Sequence, residues 1–454
     1  MQTVGESMKS FTSRKRNIEL LLLICVLSIS WLALFLVETA TSYRNPIGVT
    51  QIYLVVAVVL TGHFAIRLFA PFADQFLYPL AVQLNLLGIV MIHRLDVADE
   101  IRATASNSAF TTEAGSQLIW FVIGIGLLVA TLVVVKDHRR LQRYTFTAMV
   151  AGLVLLLLPM LPILGASING ARLWIRIGSL SFQPAEVAKI VLPIFFAGYL
   201  ARNRSSIANI REKWAGIGLP RRKDLGPIVS AWAISLLVLI SQRDLGTSLL
   251  FFGLFVGMLY IATGQRTWLA IGGFLFMSGA FVAYKLFSHV QLRAMVWLDP
   301  FPYALNESYQ LVQGLYGFAS GGLFGRGLGQ GYSWLVPYAK SDFILSAFGE
   351  ELGYVGLIAI TFLYAFIVQR TLRTSLMTKD DFGQLLSAGL AIVLGLQLFV
   401  VFGGVTRLIP LTGLTTPFLA AGGSALIANW IMIALILRIS HTSTLLSAPT
   451  GRQL

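Results

Sequence analysis

"PYAKSDFILSAFGEELGYVGLIAITFLYAFIVQ", residues 337–369, sets three acids at the start of an apolar run that carries no charge from Leu352 to Gln369. A run near 344–369 is long enough to cross a hydrocarbon core, which needs about 20 residues of helix. A carboxylate at that depth costs roughly 2.5–3.5 kcal/mol on insertion scales. Asp342 follows Pro337, Tyr338 and Lys340, while Glu350 and Glu351 lie further along the same run. If the intervening chain is helical, that separation is about 12–14 Å. Asp342 is therefore expected at the water interface, where its charge is cheap. The two glutamates need partners inside the protein. An aspartate just before a helix serves equally well as a cap or as a reactive group, and both readings of Asp342 stand at this point.

The same oil extends outward in both directions. Of the 454 residues, 56% are hydrophobic and 12% charged, against about 25% charged in an average soluble domain. Spans are predicted near 18–39, 49–69, 76–93, 117–135, 145–165, 184–201, 226–241, 246–264, 267–287, 344–369, 383–404 and 416–438. The fold class is thus an all-α polytopic integral membrane protein with about twelve transmembrane helices. The first run follows Lys9, Arg14, Lys15 and Arg16 but lacks a small-residue cleavage pattern, so it reads as a retained span. A single cysteine, Cys25, rules out a disulfide framework and a thiolate metal cluster.

The net charge of +14 acquires meaning once it is placed. "KDHRRLQRY" (136–144), "RNRSSIANIREKWAGIGLPRRKD" (202–224) and "QRTLRTSLMTKD" (369–380) fall on one side together with the N-terminal arm. Because Lys and Arg concentrate in cytoplasmic loops, both termini are predicted cytoplasmic, and no nucleic-acid partner is expected. Residues 165–184, about 288–343 and 403–417 then lie outside, the second being the one large extracellular loop. Long loops of this kind are commonly lids or binding elements.

Several residues stand in costly places. Glu186 and Lys189 share a face of the sixth span. Unpaired they would together cost roughly 5–7 kcal/mol, so they read either as a structural ion pair or as the wall of a polar cavity. Arg172 and Arg176 lie just upstream, and a cationic cluster opening outward suits a phosphate-bearing substrate. Trp174 sits between them, at a place where interfacial aromatic belts are ordinary. Asp244 in "SQRDLGTS" is positioned to cap the following helix. The stretch "GGLFGRGLGQG" (321–331) lacks the dinucleotide spacing and is only a weak candidate for a phosphate nest. No Walker A motif occurs, which argues against nucleotide-driven work, and the five histidines form no compact metal set.

Six ordered blocks carry a resemblance. They are "NGARLWIRIGSLSFQPAEVAKI" (169–190), "QRDLGTSL" (242–249), "WLDP" (297–300), "YQLVQGLYGFASGGLFGRGLGQG" (309–331), "SDFILSAFGEELGYVG" (341–356) and "IPLTGLTTPFLAAGGS" (409–424). Over about 117–440 the chain resembles the SEDS family (shape, elongation, division, sporulation), the RodA and FtsW proteins of bacterial wall synthesis. Its members typically have ten spans, so two extra N-terminal helices would account for twelve. The implied organisation is residues 1–100 as N-terminal helices outside the family motifs, 101–440 as the SEDS-like glycosyltransferase membrane domain, and 441–454 as a cytoplasmic tail.

The resemblance implies a bacterial plasma-membrane peptidoglycan glycosyltransferase that polymerises lipid II at the outer face. A class B penicillin-binding protein would supply the transpeptidase, and lipid II and undecaprenyl-linked glycan would be the other partners. The family's essential acid maps onto Asp342. Substrate-binding candidates are Arg172, Trp174, Glu186, Lys189, Arg293, Gln310, Lys340 and Arg407. No metal ligand and no cofactor is expected; a divalent cation is left open, without a dedicated site. The residues before Asp342 usually read Pro-Glu-x-His-Thr and here read Pro-Tyr-Ala-Lys-Ser. A lysine two residues before the base could hold it ionised or bind phosphate. The late block reads "AAGGSA" without the usual Ser-Tyr, a departure that bears on any role of those hydroxyls and not on the fold. Two other readings compete: a lipid II translocase lined by Glu186/Lys189 and Glu350/Glu351, and a scaffold positioning a transpeptidase. The added N-terminal helices and short tail favour a RodA-like role over an FtsW-like one.

Overall fold

The computed structural model describes residues 2–41, 49–106, 112–162, 164–168, 171–178, 180–208, 212–214, 217–219 and 222–447. Among them, eleven helices are long and apolar enough to cross a membrane, and Val229–Ser241 adds a shorter apolar helix. All twelve expected spans correspond to helices, with shifted ends. The third, α3 (Leu77–Ser106), continues well past residue 93. The fifth, α5 (Thr145–Leu157), stops early because Pro159 and Pro162 follow. The last, α14, begins at Gly423, and residues 409–417 before it are irregular rather than helical, with Gly413 in the left-handed region (φ 78°).

The chain divides into two compact units. The first comprises residues 1–136, 299–370 and 401–454. It contains α1 (Gln2–Thr41), α2 (Val49–Phe69), α3, α4 (Glu113–Val134), α11 (Tyr309–Gly321), most of α12 (Ile344–Met377) and α14 (Gly423–Ser447). Its packing centres on the fully buried Trp430 of α14. A Cβ on Gly124 of α4 would lie 2.4 Å from that indole. Glycine there lets the two helices approach closely, as in other membrane bundles. The indole N–H donates to Asn85 of α3 (3.3 Å), and the rings of Tyr78, Phe121 and Phe418 surround it. Two charges of α1 are buried and paired. Arg16 donates to Glu19 and to the Ala73 carbonyl, and Glu19 Oε1 lies 2.7 Å from His63 Nδ1 on α2.

The second unit comprises residues 137–298 and 371–400. It contains α5, α6 (Pro184–Ala208), α7 (Arg222–Ser241), α8 (Leu245–Thr263), α9 (Thr267–Leu286), α10 (Ser288–Leu298) and most of α13 (Asp381–Val405). Asp244 caps α8 as expected, accepting from the Thr247 N–H at 2.9 Å, and Gly264 closes that helix in the left-handed conformation. The outer segment 165–184 holds an element the all-helical reading lacked. Strands β1 (Gly165–Ile168), β2 (Ala171–Ile177) and β3 (Leu180–Phe182) form an antiparallel sheet in that order, with Trp174 opposite Ala166 and Ile175 opposite Phe182. The signal was present: residues 172–177 alternate polar or amphipathic with aliphatic, the period of a strand with one buried face. A short hairpin, β4 (Glu212–Trp214) and β5 (Ile217–Leu219), interrupts the basic loop before α7.

Candidate active site

The turn that carries Asp342 is built from both sides. Tyr338 adopts φ +56°, and its carbonyl accepts from the N–H groups of Ser341 (3.0 Å) and Phe343 (3.3 Å). Phe343 is fully buried against Gly314 of α11, where any Cβ would approach the ring to 2.8 Å. Gln310, also on α11, donates its amide to the Pro337 carbonyl at 3.2 Å. With Phe343 locked inward, Asp342 is left half-buried, one residue outside the cap position of α12. Its carboxylate lies beside the irregular segment 409–417, where a Cβ on Gly413 would stand 3.8 Å from Oδ2. Arg407, half-buried with φ +62°, begins that segment at the end of α13.

Lys340 is committed elsewhere. Its Nζ lies 2.8 Å from Asp96, 2.7 Å from Asp99 and 3.7 Å from Glu113. Burial alone would lower the pKa of this ammonium, but its hydrogen bonds to Asp96 and Asp99, with the charges of Asp96 and Glu113, hold it above the usual lysine value. The sequence reading missed these three acids. Residues 94–100 fall past the expected end of the third span, although Asp96 and Asp99 have the three-residue spacing of one helix face.

Glu350 and Glu351 find the partners their depth demands. Glu350 accepts from the Tyr332 N–H (2.8 Å) and Ser320 (3.3 Å). Glu351 accepts from the Gly329 N–H (2.8 Å) and Ser333 (3.3 Å), and pairs with Arg94 of α3 at 3.0 Å. The glycine-rich stretch also mends a break in α12. At Gly353 the backbone leaves helical geometry (φ 68°, ψ −172°). The orphaned carbonyls of Glu350 and Glu351 accept from Arg326 and Gly327 N–H, both at 3.0 Å. The freed N–H groups of Tyr354 and Val355 donate to Gly322 (3.0 Å) and Leu323 (3.1 Å). The Arg326, Gly327 and Gly329 N–H groups are thus spent on α12, which gives the stretch a structural role.

In the second unit, Glu186 and Lys189 form a buried pair at 2.5 Å, and Lys189 also donates to Gln397 of α13 at 2.9 Å. Arg172 and Arg176 are exposed on β2, with the half-buried Trp174 between them on the same strand face. Arg293 is half-buried on α10. The buried carboxyl of Asp244 has its pKa raised by burial, which outweighs the Thr247 N–H and the charge of Arg293. Burial, then Arg243 and Arg293, lowers that of His289. Asp342, Gln310, Lys340 and Arg407 therefore belong to the first unit, and Arg172, Trp174, Glu186, Lys189 and Arg293 to the second.

A family profile described as "Cell cycle protein", covering FtsW, RodA and SpoVE, matches residues 74–445. The chain belongs to the FtsW/RodA/SpoVE family. It is 46% identical over 430 residues to the Mycobacterium tuberculosis protein named peptidoglycan glycosyltransferase RodA, covering 94% of this chain and 91% of that one. A Geobacter metallireducens protein named probable peptidoglycan glycosyltransferase FtsW is 32% identical over 375 residues, covering 81% of this chain and 94% of its own length. A solved structure described as structural coordination of polymerization and crosslinking by a peptidoglycan synthase complex matches with a TM-score of 0.57. It is 24% identical, covers 87% of this chain and 97% of that one, and shares the fold. This FtsW/RodA/SpoVE member is accordingly a multi-pass protein of the bacterial plasma membrane.

Proposed function

We propose that this chain is a RodA-like peptidoglycan glycosyltransferase that polymerises lipid II at the outer face of the membrane. The observation that carries this is the 46% identity, over nearly the whole chain, to a protein of that name. The clustering of Lys and Arg in 136–144, 202–224 and 369–380 supports cytoplasmic termini, and with them an outward-facing loop 288–343.

The reaction joins an acceptor sugar hydroxyl to a sugar C1 whose leaving group is a lipid pyrophosphate. The hydroxyl oxygen forms the new bond to C1 as the C1–O bond to the pyrophosphate breaks, and the hydroxyl proton must go to a base. Asp342 takes it. The carboxylate is half-buried, so it keeps access to water and to substrate. Positioned general bases are worth about 10²–10⁴-fold, or roughly 3–5 kcal/mol of barrier. The departing pyrophosphate needs cations, and arginine forks match its oxygens. We assign Arg172, Arg293 and Arg407 to lipid II binding, with Trp174 offering an aromatic face to sugar, and no cofactor. Glu186 and Lys189 neutralise each other within the helices of the second unit. A class B penicillin-binding protein is the proposed partner that crosslinks the new strands.

Incubating the purified chain and its partner with lipid II in detergent micelles separates this reading from pure translocation, because micelles have no two sides. New glycan strands on a gel are expected. Lipid II recovered unpolymerised, under conditions where the partner is bound, would favour the translocase or scaffold.

A further inference from the structure

We infer that Lys340 is a positioning residue: clamped by Asp96, Asp99 and Glu113, it fixes the turn that presents Asp342, and it does not itself bind the substrate's phosphates. The inference rests on the reading of Asp342 as the base. Every contact in it lies within the first unit.

The clamp grips Lys340 at both ends. Its ammonium reaches Asp96 and Asp99 on α3 and Glu113 at the start of α4. Its carbonyl accepts from the Ala421 N–H at 2.8 Å. That neighbour is itself fixed to α4. The buried Gln117 donates to the Ala420 carbonyl (3.1 Å) and accepts from the Gly422 N–H (3.2 Å). Asp96 is pinned as well, its second oxygen accepting from the Ala114 N–H at 2.7 Å. Two residues beyond Lys340, the Asp342 backbone has no slack, because the Phe343 ring is buried on α11.

Charge points the same way. Lys340, with Arg102 3.9 Å from Asp99, faces three carboxylates, so a pyrophosphate approaching Lys340 would still meet net negative charge. A free lysine would serve as a phosphate ligand; this one is already paired with carboxylates.

Lipid II polymerisation by the purified chain with its partner, measured against substrate concentration, tests the assignment. Lys340→Met is expected to lower kcat about 10–100-fold, since small misplacements of a reacting group cost on that order, and to leave KM within about twofold. Lys340→Arg, which can still reach the carboxylates, should recover most of the loss. If Lys340→Met fails to fold, the double variant Asp99→Asn/Glu113→Gln, at two partly exposed positions, should still lower kcat at constant KM. A rise in KM with unchanged kcat in either variant would make Lys340 a phosphate ligand and overturn the proposal, as would wild-type kinetics in both. Asp342→Asn, run in parallel, keeps the two ideas apart. If it retains activity the base assignment fails, whatever the Lys340 variants do.

Discussion

Three acids within ten residues divide by what surrounds them. Asp342 stays half-buried, while Glu350 and Glu351 are buried and hydrogen-bonded to the backbone of 329–332. Their depth order was readable from hydropathy alone, because an unsolvated carboxylate must find donors. The identity of those donors was not. Arg94 lies 257 residues from Glu351, and Lys340 lies 244 from Asp96; local spacing carries no trace of such pairs. Glu351→Ala leaves Arg94 buried without its partner, and breaking a buried pair costs about 3–5 kcal/mol. A fall in melting temperature in detergent, larger than that of Glu113→Ala at its half-exposed site, is the expected result.

Helix ends and interruptions were harder to read than helix centres. Twelve apolar runs announced their helices, and the Asp244 cap was visible as an acid before an apolar stretch. The break at Gly353 was not, since a glycine inside a long apolar run looks like tolerated filler. Its φ/ψ is a conformation nearly reserved for glycine, costing other residues about 1–3 kcal/mol, and a Cβ would come within 2.3 Å of the Gly325 N. Gly353→Val should therefore destabilise the protein by more than about 2 kcal/mol, whereas valine at Gly273, which has open space around it, should cost far less. The α12–α13 turn makes a separate prediction. Burial disfavours the Asp380 carboxylate, but His138, the Gly383 N–H and Arg139 more than offset this and hold its pKa at about 2. That is below the unfolded value of about 3.9. The stabilisation is then present above pH ~4 and is lost as pH falls toward 2, amounting to roughly 2–3 kcal/mol. Asp380→Asn should lower the melting temperature at pH 7, with the gap to wild type closing in acid; a gap that persists unchanged at pH 2–3 would refute the charge-based account.

Across the whole chain, hydropathy and basic loops settled the class of molecule, and ordered motifs settled the family. The three-stranded sheet at 165–182 escaped because a short strand between spans is overshadowed by the helices around it, although its alternation was there. The clamp on Lys340 escaped because α3 carries its charges past the apolar run that defined it. The chemistry assigned to this fold concentrates in one carboxylate, so one substitution tests it most directly. Asp342→Asn keeps size and shape and removes the base. In purified chain with its partner and lipid II, polymerisation should fall by at least about 100-fold while partner binding and melting temperature stay at wild-type values. Glycan strands forming at near wild-type rates would contradict the account.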